Sequence, residues 1–175
     1  MLTRRVALIS WSLCVVLAGA TAFAQGRDFS GRWTPDAEKN RDAPRGGGGA
    51  GTGGGRMQGG GGGNAGTSEL TITLDKTSFT IGRTSEGASA KTVYRLDGKE
   101  TVNGDGATAW RSRAKWDGEA LVVSMSRNTP QGTQTQTVRY YLEGDDLVQE
   151  VSRPAANGRP GLTSKTYYRR KPTTS

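Results

Sequence analysis

From Ser68 to the C-terminus the chain alternates apolar and polar residues with a period of two. "ELTITLD" sets Leu70, Ile72 and Leu74 against Thr71 and Thr73, and "SFTIG" continues with Phe79 and Ile81. "TVYRLDG" offers Tyr94 and Leu96, "ATAWRSRAKWDG" offers Trp110, Ala114 and Trp116, and "EALVVSM" offers Leu121, Val123 and Met125. "TVRYYLEG" then gives Val138, Tyr140 and Leu142, "DDLVQEV" gives Leu147 and Val151, and "SKTYYRR" closes the pattern. Such alternation places one set of side chains on a buried face and the other in water, which is the mark of a strand. Thr, Val and Tyr, which suit strands, are abundant. Between the runs fall Asp97-Gly98, Asn103-Gly104, Asp105-Gly106, Asp117-Gly118 and Glu143-Gly144. Asp-Gly and Asn-Gly supply the positive φ angles of tight hairpins. No segment has a helical period. Counting a further strand at Phe29–Trp33, the pattern predicts an all-β antiparallel meander of about 8–10 strands. An open sheet of that length would expose its edges, so closure into a single small β-barrel is expected.

The first third of the chain reads differently. Arg4 and Arg5 precede the apolar stretch "VALISWSLCVVLAGA", and "AFA" at 22–24 has the small residues of a signal-peptidase site. Ser10, Ser12, Gly19 and Thr21 interrupt the stretch, short of the roughly 20 strongly apolar residues that a span needs. Residues 1–24 are therefore expected to be a cleaved signal peptide, taking the general secretory route despite the twin arginine. No transmembrane segment is expected after cleavage, and the location is periplasmic or secreted. Residues 25–35 hold the first strand, 36–67 a polar and glycine-rich flexible insert, 68–171 the remainder of the barrel, and 172–175 a tail. Fourteen of the 21 residues from Gly46 to Gly66 are glycine. That tract lacks the strand, helix and Gly-Lys-Ser/Thr ending of a phosphate loop, and it holds no aromatic residue. It reads as a disordered linker.

Composition removes whole classes of chemistry. There is no histidine, and the one cysteine, Cys14, lies inside the signal. Without either residue the exported chain has no thiolate nucleophile, no Ser-His dyad, no disulfide and no ordinary zinc, copper or haem site. No catalytic residue, metal or cofactor is expected, and the protein reads as a non-enzyme. Losing Arg4 and Arg5 lowers the formal charge from +8 to +6. A basic exported protein meets anionic envelope surfaces; nucleic acid is not an expected partner outside the cell.

At "DFSGRWTPD" the sequence resembles a known family. Gly31-Arg32-Trp33 is similar to the G-x-W signature on the first strand of lipocalins and related calycin barrels. The "KWDG" hairpin at Lys115–Gly118 resembles that of fatty-acid-binding proteins. The resemblance implies that Trp33 closes one barrel end, with Gly31 beside it, against a basic side chain from the last strand, Arg169 or Arg170. It also implies an exported module that binds a small hydrophobic or amphipathic ligand inside the barrel. Trp33, Tyr94, Trp110, Trp116, Met125 and Tyr140 would form the lining.

Two further groups carry chemistry. Arg111, Arg113 and Lys115 share the face opposite Trp110 and Trp116, with Arg127, Arg139 and Lys165 as possible neighbours. This basic face supports an alternative function, docking of a polyanion or protein partner by an envelope interaction protein with a packed interior. Fatty-acid-binding proteins hold the ligand carboxylate with an Arg-x-Tyr pair, and Arg139-x-Tyr141 has that spacing. Its use requires Thr135, Thr137, Arg139 and Tyr141 to point inward; hydrophobicity favours Val138, Tyr140 and Leu142 instead. One register slip exchanges the two sets.

Overall fold

The computed structural model describes residues 27–41, 68–85, 88–156 and 160–172. The expected signal peptide and the glycine tract lie outside them. Ten strands follow in order: β1 (Gly31–Pro35), β2 (Glu69–Leu74), β3 (Ser78–Ser85), β4 (Ala88–Arg95), β5 (Thr101–Asn103), β6 (Trp110–Asp117), β7 (Ala120–Thr129), β8 (Gly132–Glu143), β9 (Asp146–Arg153) and β10 (Leu162–Arg170). A single 3-10 turn, Gly106–Thr108, separates β5 from β6. The β6–β7 and β8–β9 hairpins turn at Gly118 (φ 60°) and Gly144 (φ 64°), where a side chain would be strained.

All ten strands belong to one antiparallel sheet in the order β4-β3-β2-β1-β10-β9-β8-β7-β6-β5. The decisive pairing is between the first strand and the last, Trp33 opposite Arg170 and Pro35 opposite Tyr168. It curls the meander until β4 and β5, neighbours in sequence, become the two facing edges. The seam between them is held by side chains. Asn103 Nδ2 donates to the Val93 carbonyl at 3.1 Å, while its Oδ1 accepts from the Val93 N–H at 3.4 Å. Arg95 N–H donates to Thr101 Oγ1 at 3.1 Å. The carboxamide of Asn103 thus stands in for a peptide group, and the barrel is nearly closed.

Most buried residues follow the alternation; Ala120, Val122 and Val148, of the opposite parity, are buried as well. Leu70 and Ile72, Phe79 and Ile81, Trp110 and Ala114, Leu121 and Val123, Val138 and Tyr140, with Leu147 and Tyr168, form one contiguous core. Each large apolar side chain contributes about 1.5–3 kcal/mol when fully buried. The two ends differ. At one, Phe29 meets Phe79 edge-on at 6.3 Å and Trp116 at 5.5 Å between centroids. Trp33 is fully buried there and its Nε1 donates to the Phe29 carbonyl at 2.9 Å. The Arg170 guanidinium lies 4.4 Å from the centroid of the Trp33 ring, and its Nη1 donates to the Ser30 carbonyl at 2.6 Å. Gly31 makes this approach possible: its φ is +138°, and a Cβ there would sit 2.7 Å from Arg170 Nη1.

Arg169 does not share in this closure. It lies opposite Thr34, on the outward parity, and its Nε donates to Asp36 Oδ2 at 2.7 Å. Asp36 is buried and also accepts from the backbone N–H groups of Glu38 (2.9 Å) and Lys39 (3.1 Å). Asn40 continues the attachment, its side chain bonding both Tyr167 N–H and carbonyl. Residues 36–41 are thereby tied to β10. Burial alone would raise the Asp36 pKa; the N–H groups of Lys39 and Glu38 and the Arg169 guanidinium outweigh it and hold it below the ordinary 3.8. A carboxyl depressed in the folded state contributes stability that is present above its unfolded pKa and lost as pH falls through the folded one. The urea midpoint is therefore expected to fall as pH drops below about 4, and Asp36→Asn to flatten that descent while lowering the midpoint at pH 7. An unchanged slope in the variant would remove Asp36 from the acid response.

Candidate ligand site inside the barrel

The register places polar side chains on the inward face in a biased way. Arg83 has the parity of Phe79 and Ile81 on β3, Arg127 that of Val123 and Met125 on β7, and Arg153 that of Leu147 and Gln149 on β9. With Arg170, four arginines face inward. The carboxylates on the strands, Glu69, Asp117, Glu143, Asp146 and Glu150, all take the outward parity. No carboxylate projects inward from any of the ten strands, so the interior is cationic. A buried charge needs a partner.

Arg83 shows this most clearly. It crosses the interior to β9, where its Nη2 donates to Gln149 Oε1 at 3.3 Å. The same oxygen accepts from Tyr168 OH at 3.2 Å, and Gln149 Nε2 donates to Tyr140 OH at 3.3 Å. All three bonds are slack by comparison with the 2.7–2.9 Å of charge-assisted pairs. Gln149, Tyr140 and Tyr168 are fully buried. Burial opposes the charge on Arg83, but the phenol oxygens of Tyr140 and Tyr168 outweigh it and hold its pKa above the ordinary value. Burial likewise raises the phenols of Tyr94 and Tyr140, and that of Tyr168 to about 12. At neutral pH the cluster is one cation among neutral phenols and a carboxamide.

Beyond this cluster the interior opens at the end opposite Trp33. Ala90, Gln134 and Arg153 face inward yet are exposed, and Thr92, Val151, Ser164 and Thr166 are only half-buried. Small residues, among them Ser112 and Ala114, line this half, whereas aromatic rings fill the closed half. Ten strands also enclose a wider interior than eight. The open end therefore presents exposed polar and small inward residues above the buried Tyr140, Gln149 and Tyr168.

Of the residues expected to line a site, Trp33, Tyr94, Trp110, Met125 and Tyr140 are buried inside the barrel and Trp116 is half-buried. They do not form one ring. Trp33 and Trp116 belong to the closed end, Tyr94 stacks on Phe79 at 6.0 Å, and Trp110 and Met125 lie toward the mouth. Arg139 and Tyr141 point outward: Arg139 pairs with Asp117 at 2.9 Å, and Lys165 lies 5.7 Å from the Tyr141 ring. Val138, Tyr140 and Leu142 are the inward set. Arg111, Arg113 and Lys115 are exposed outside, with Arg111 paired to Glu100 at 2.8 Å. Lys165 there pairs with Glu150, but Arg127 leaves that face, since it packs inside on Trp110. An open outer groove of about 490 Å³ is lined by Asp117, Glu119, Ala120, Arg139, Tyr141, Leu142 and Glu150, a mixed-charge surface. Among the described residues no three Asp, Glu, His or Cys gather as metal ligands. Sequence reasoning missed Arg83, Gln149 and Tyr168. Their signal was a polar residue at an apolar step of the alternation, Arg83 after Phe79 and Ile81, and Gln149 between Leu147 and Val151.

A ten-stranded, nearly closed antiparallel meander with Trp33 and a late arginine at one end is the fold of the fatty-acid-binding and lipocalin-like calycin barrels. The chain is similar to a secretory abundant heat soluble protein of Ramazzottius varieornatus (TM-score 0.54, 12% identity, 85% of this chain and 98% of that one covered). It is also similar to lipid binding protein 8 of Caenorhabditis elegans (0.53, 9%, 82% and 95%) and to the REP1-NXSQ fatty acid transporter (0.53, 11%, 83% and 97%). At these identities the likeness is one of fold. No protein-family model and no curated protein matches the chain.

Proposed function

We propose that the protein is an exported, non-enzymatic β-barrel that binds a small amphipathic acid inside the barrel. The observation that carries this reading is Arg83: an inward cation whose partners among the described residues are all neutral, on a barrel face that bears no strand carboxylate. The acid group occupies the space among Arg83, Tyr140 and Tyr168, and its apolar part lies against Val123, Met125 and Val138. Solved proteins of the same fold named as a fatty acid transporter and a lipid binding protein support a hydrophobic ligand. Export is supported by the basic, apolar and small-residue order of residues 4–24.

Native mass spectrometry of the exported protein, delipidated and then mixed with hexadecanoic acid, tests the reading. One added acid per barrel, lost on denaturation, is the expected result. A bare mass at every acid concentration, with hexadecanol equally excluded, would overturn it.

A further inference from the structure

The open end of the barrel carries a second cationic group that the site at Arg83 leaves unused. Arg127 lies over the Trp110 ring, 4.6 Å from its centroid, and its Nε donates to Gln134 Oε1 at 2.9 Å. Arg153 Nε donates to Gln136 Oε1 at 3.3 Å. The β7–β8 register sets Arg127 opposite Gln134 and Met125 opposite Gln136, so the two arginines flank one pair of inward glutamines. In both, only Nε is engaged: no described residue accepts a hydrogen bond from their Nη atoms. Neither has a carboxylate partner among the described residues. A guanidinium anchored through Nε and open at its Nη atoms presents the fork that carboxylates and phosphates take.

A second observation comes from the indole beneath Arg127. Trp110 Nε1 is buried and, among the described residues, is the single buried side-chain nitrogen or oxygen without a hydrogen-bond partner. A donor left so costs stability unless an acceptor arrives with a ligand. Two guanidinium groups reached by solvent thus stand beside one buried, unpaired indole donor at the open end of the barrel.

We infer that this is a second anion subsite, and that the occupant of the barrel is an elongated amphiphile with an acid group at each end. One acid sits at Arg83 and the other between Arg127 and Arg153. The spacing follows from the strands. Leu121 lies opposite Tyr140, and Arg127 is six residues further along β7, about 20 Å; Arg153 is four residues beyond Gln149 on β9, about 13 Å. Between the two groups the inward wall carries Val123, Met125, Val138 and Val151, with Ser112, Ser164 and Thr166 beside them. An acid with a single head would leave one cationic group unmatched, whichever end it chose. This inference rests on the reading that Arg83 holds an acid.

Isothermal titration of the exported protein with hexadecanoic acid and with hexadecanedioic acid, at pH 7.5 and low salt, tests it. The diacid is expected to bind at least tenfold more tightly, beyond the factor of two given by its two equivalent ends. Arg127→Gln combined with Arg153→Gln should bring the ratio of the two affinities to about one, and far-UV circular dichroism checks that the variant folds. Trp110 fluorescence should respond to the diacid more strongly than to the monoacid. Equal affinities in the unmodified protein overturn the inference while leaving the carrier reading standing, as does a diacid advantage that survives the double substitution. Binding of neither acid overturns both.

Discussion

Arg83→Met abolishes acid binding and leaves the barrel as stable as before, or more so. In the unliganded protein Arg83 is a partly buried cation among neutral partners, with bonds of 3.2–3.3 Å around Gln149. Replacing such a group by an apolar side chain of similar length is neutral or stabilising. The ligand has the opposite experience. A carboxylate brought into the barrel without its guanidinium is a buried, unpaired charge, and truncating one partner of such a pair costs about 2–5 kcal/mol. The Kd for hexadecanoic acid should rise by about 30-fold or more, with hexadecanol indifferent to the change. Tyr168→Phe, which removes a neutral donor, should cost about tenfold. An urea midpoint that rises while binding vanishes would separate function from folding at one residue. A variant that binds as well as the parent would place the acid elsewhere.

Trp33→Ala acts on the other end and in the other direction. Truncation removes a fully buried indole, its 2.9 Å bond to the Phe29 carbonyl and the platform on which Arg170 lies. Deleting a large buried aromatic costs about 3–5 kcal/mol. That is a large share of the 5–15 kcal/mol that holds most domains folded. Urea unfolding followed by far-UV circular dichroism should show this loss, whereas Arg170→Met, which removes only the cation over the ring, should lose about 0.5–2 kcal/mol. The pairing of β1 with β10 is what closes the sheet, so Trp33→Ala should also speed amide exchange in both strands. A loss below about 1.5 kcal/mol would mean that Trp33 fills space already well supported by Phe29 and Phe79.

The sites of the two predictions were unequally visible beforehand. Trp33 stands in a recognisable motif and meets a late arginine, as the motif implies; only the choice between Arg169 and Arg170 had to come from the pairing. There the parity of β10 gives Arg170 to the ring and turns Arg169 outward to Asp36. Arg83 stands in no motif. It interrupts an apolar alternation, and that irregularity was legible, but its partners Tyr140, Gln149 and Tyr168 are 57 to 85 positions away in the numbering. Arg139-x-Tyr141 had the spacing of a carboxylate site and faces outward.

Local physics accounts for what the sequence by itself determined. Alternation, strand length and the Asp-Gly and Glu-Gly turns are properties of a few adjacent residues, and they predict an antiparallel meander of about 8–10 strands, of which the structure has ten. Hydrophobicity then chooses which parity is buried wherever one parity is clearly apolar, as at Val138, Tyr140 and Leu142. What only the tertiary structure decided is which polar residues meet inside. That depends on the register between strands distant in sequence and on the closure of β1 against β10, which turns one face of every strand toward a common axis. The four inward arginines, and the carboxylates all left on the outer face, become a feature only once that axis exists.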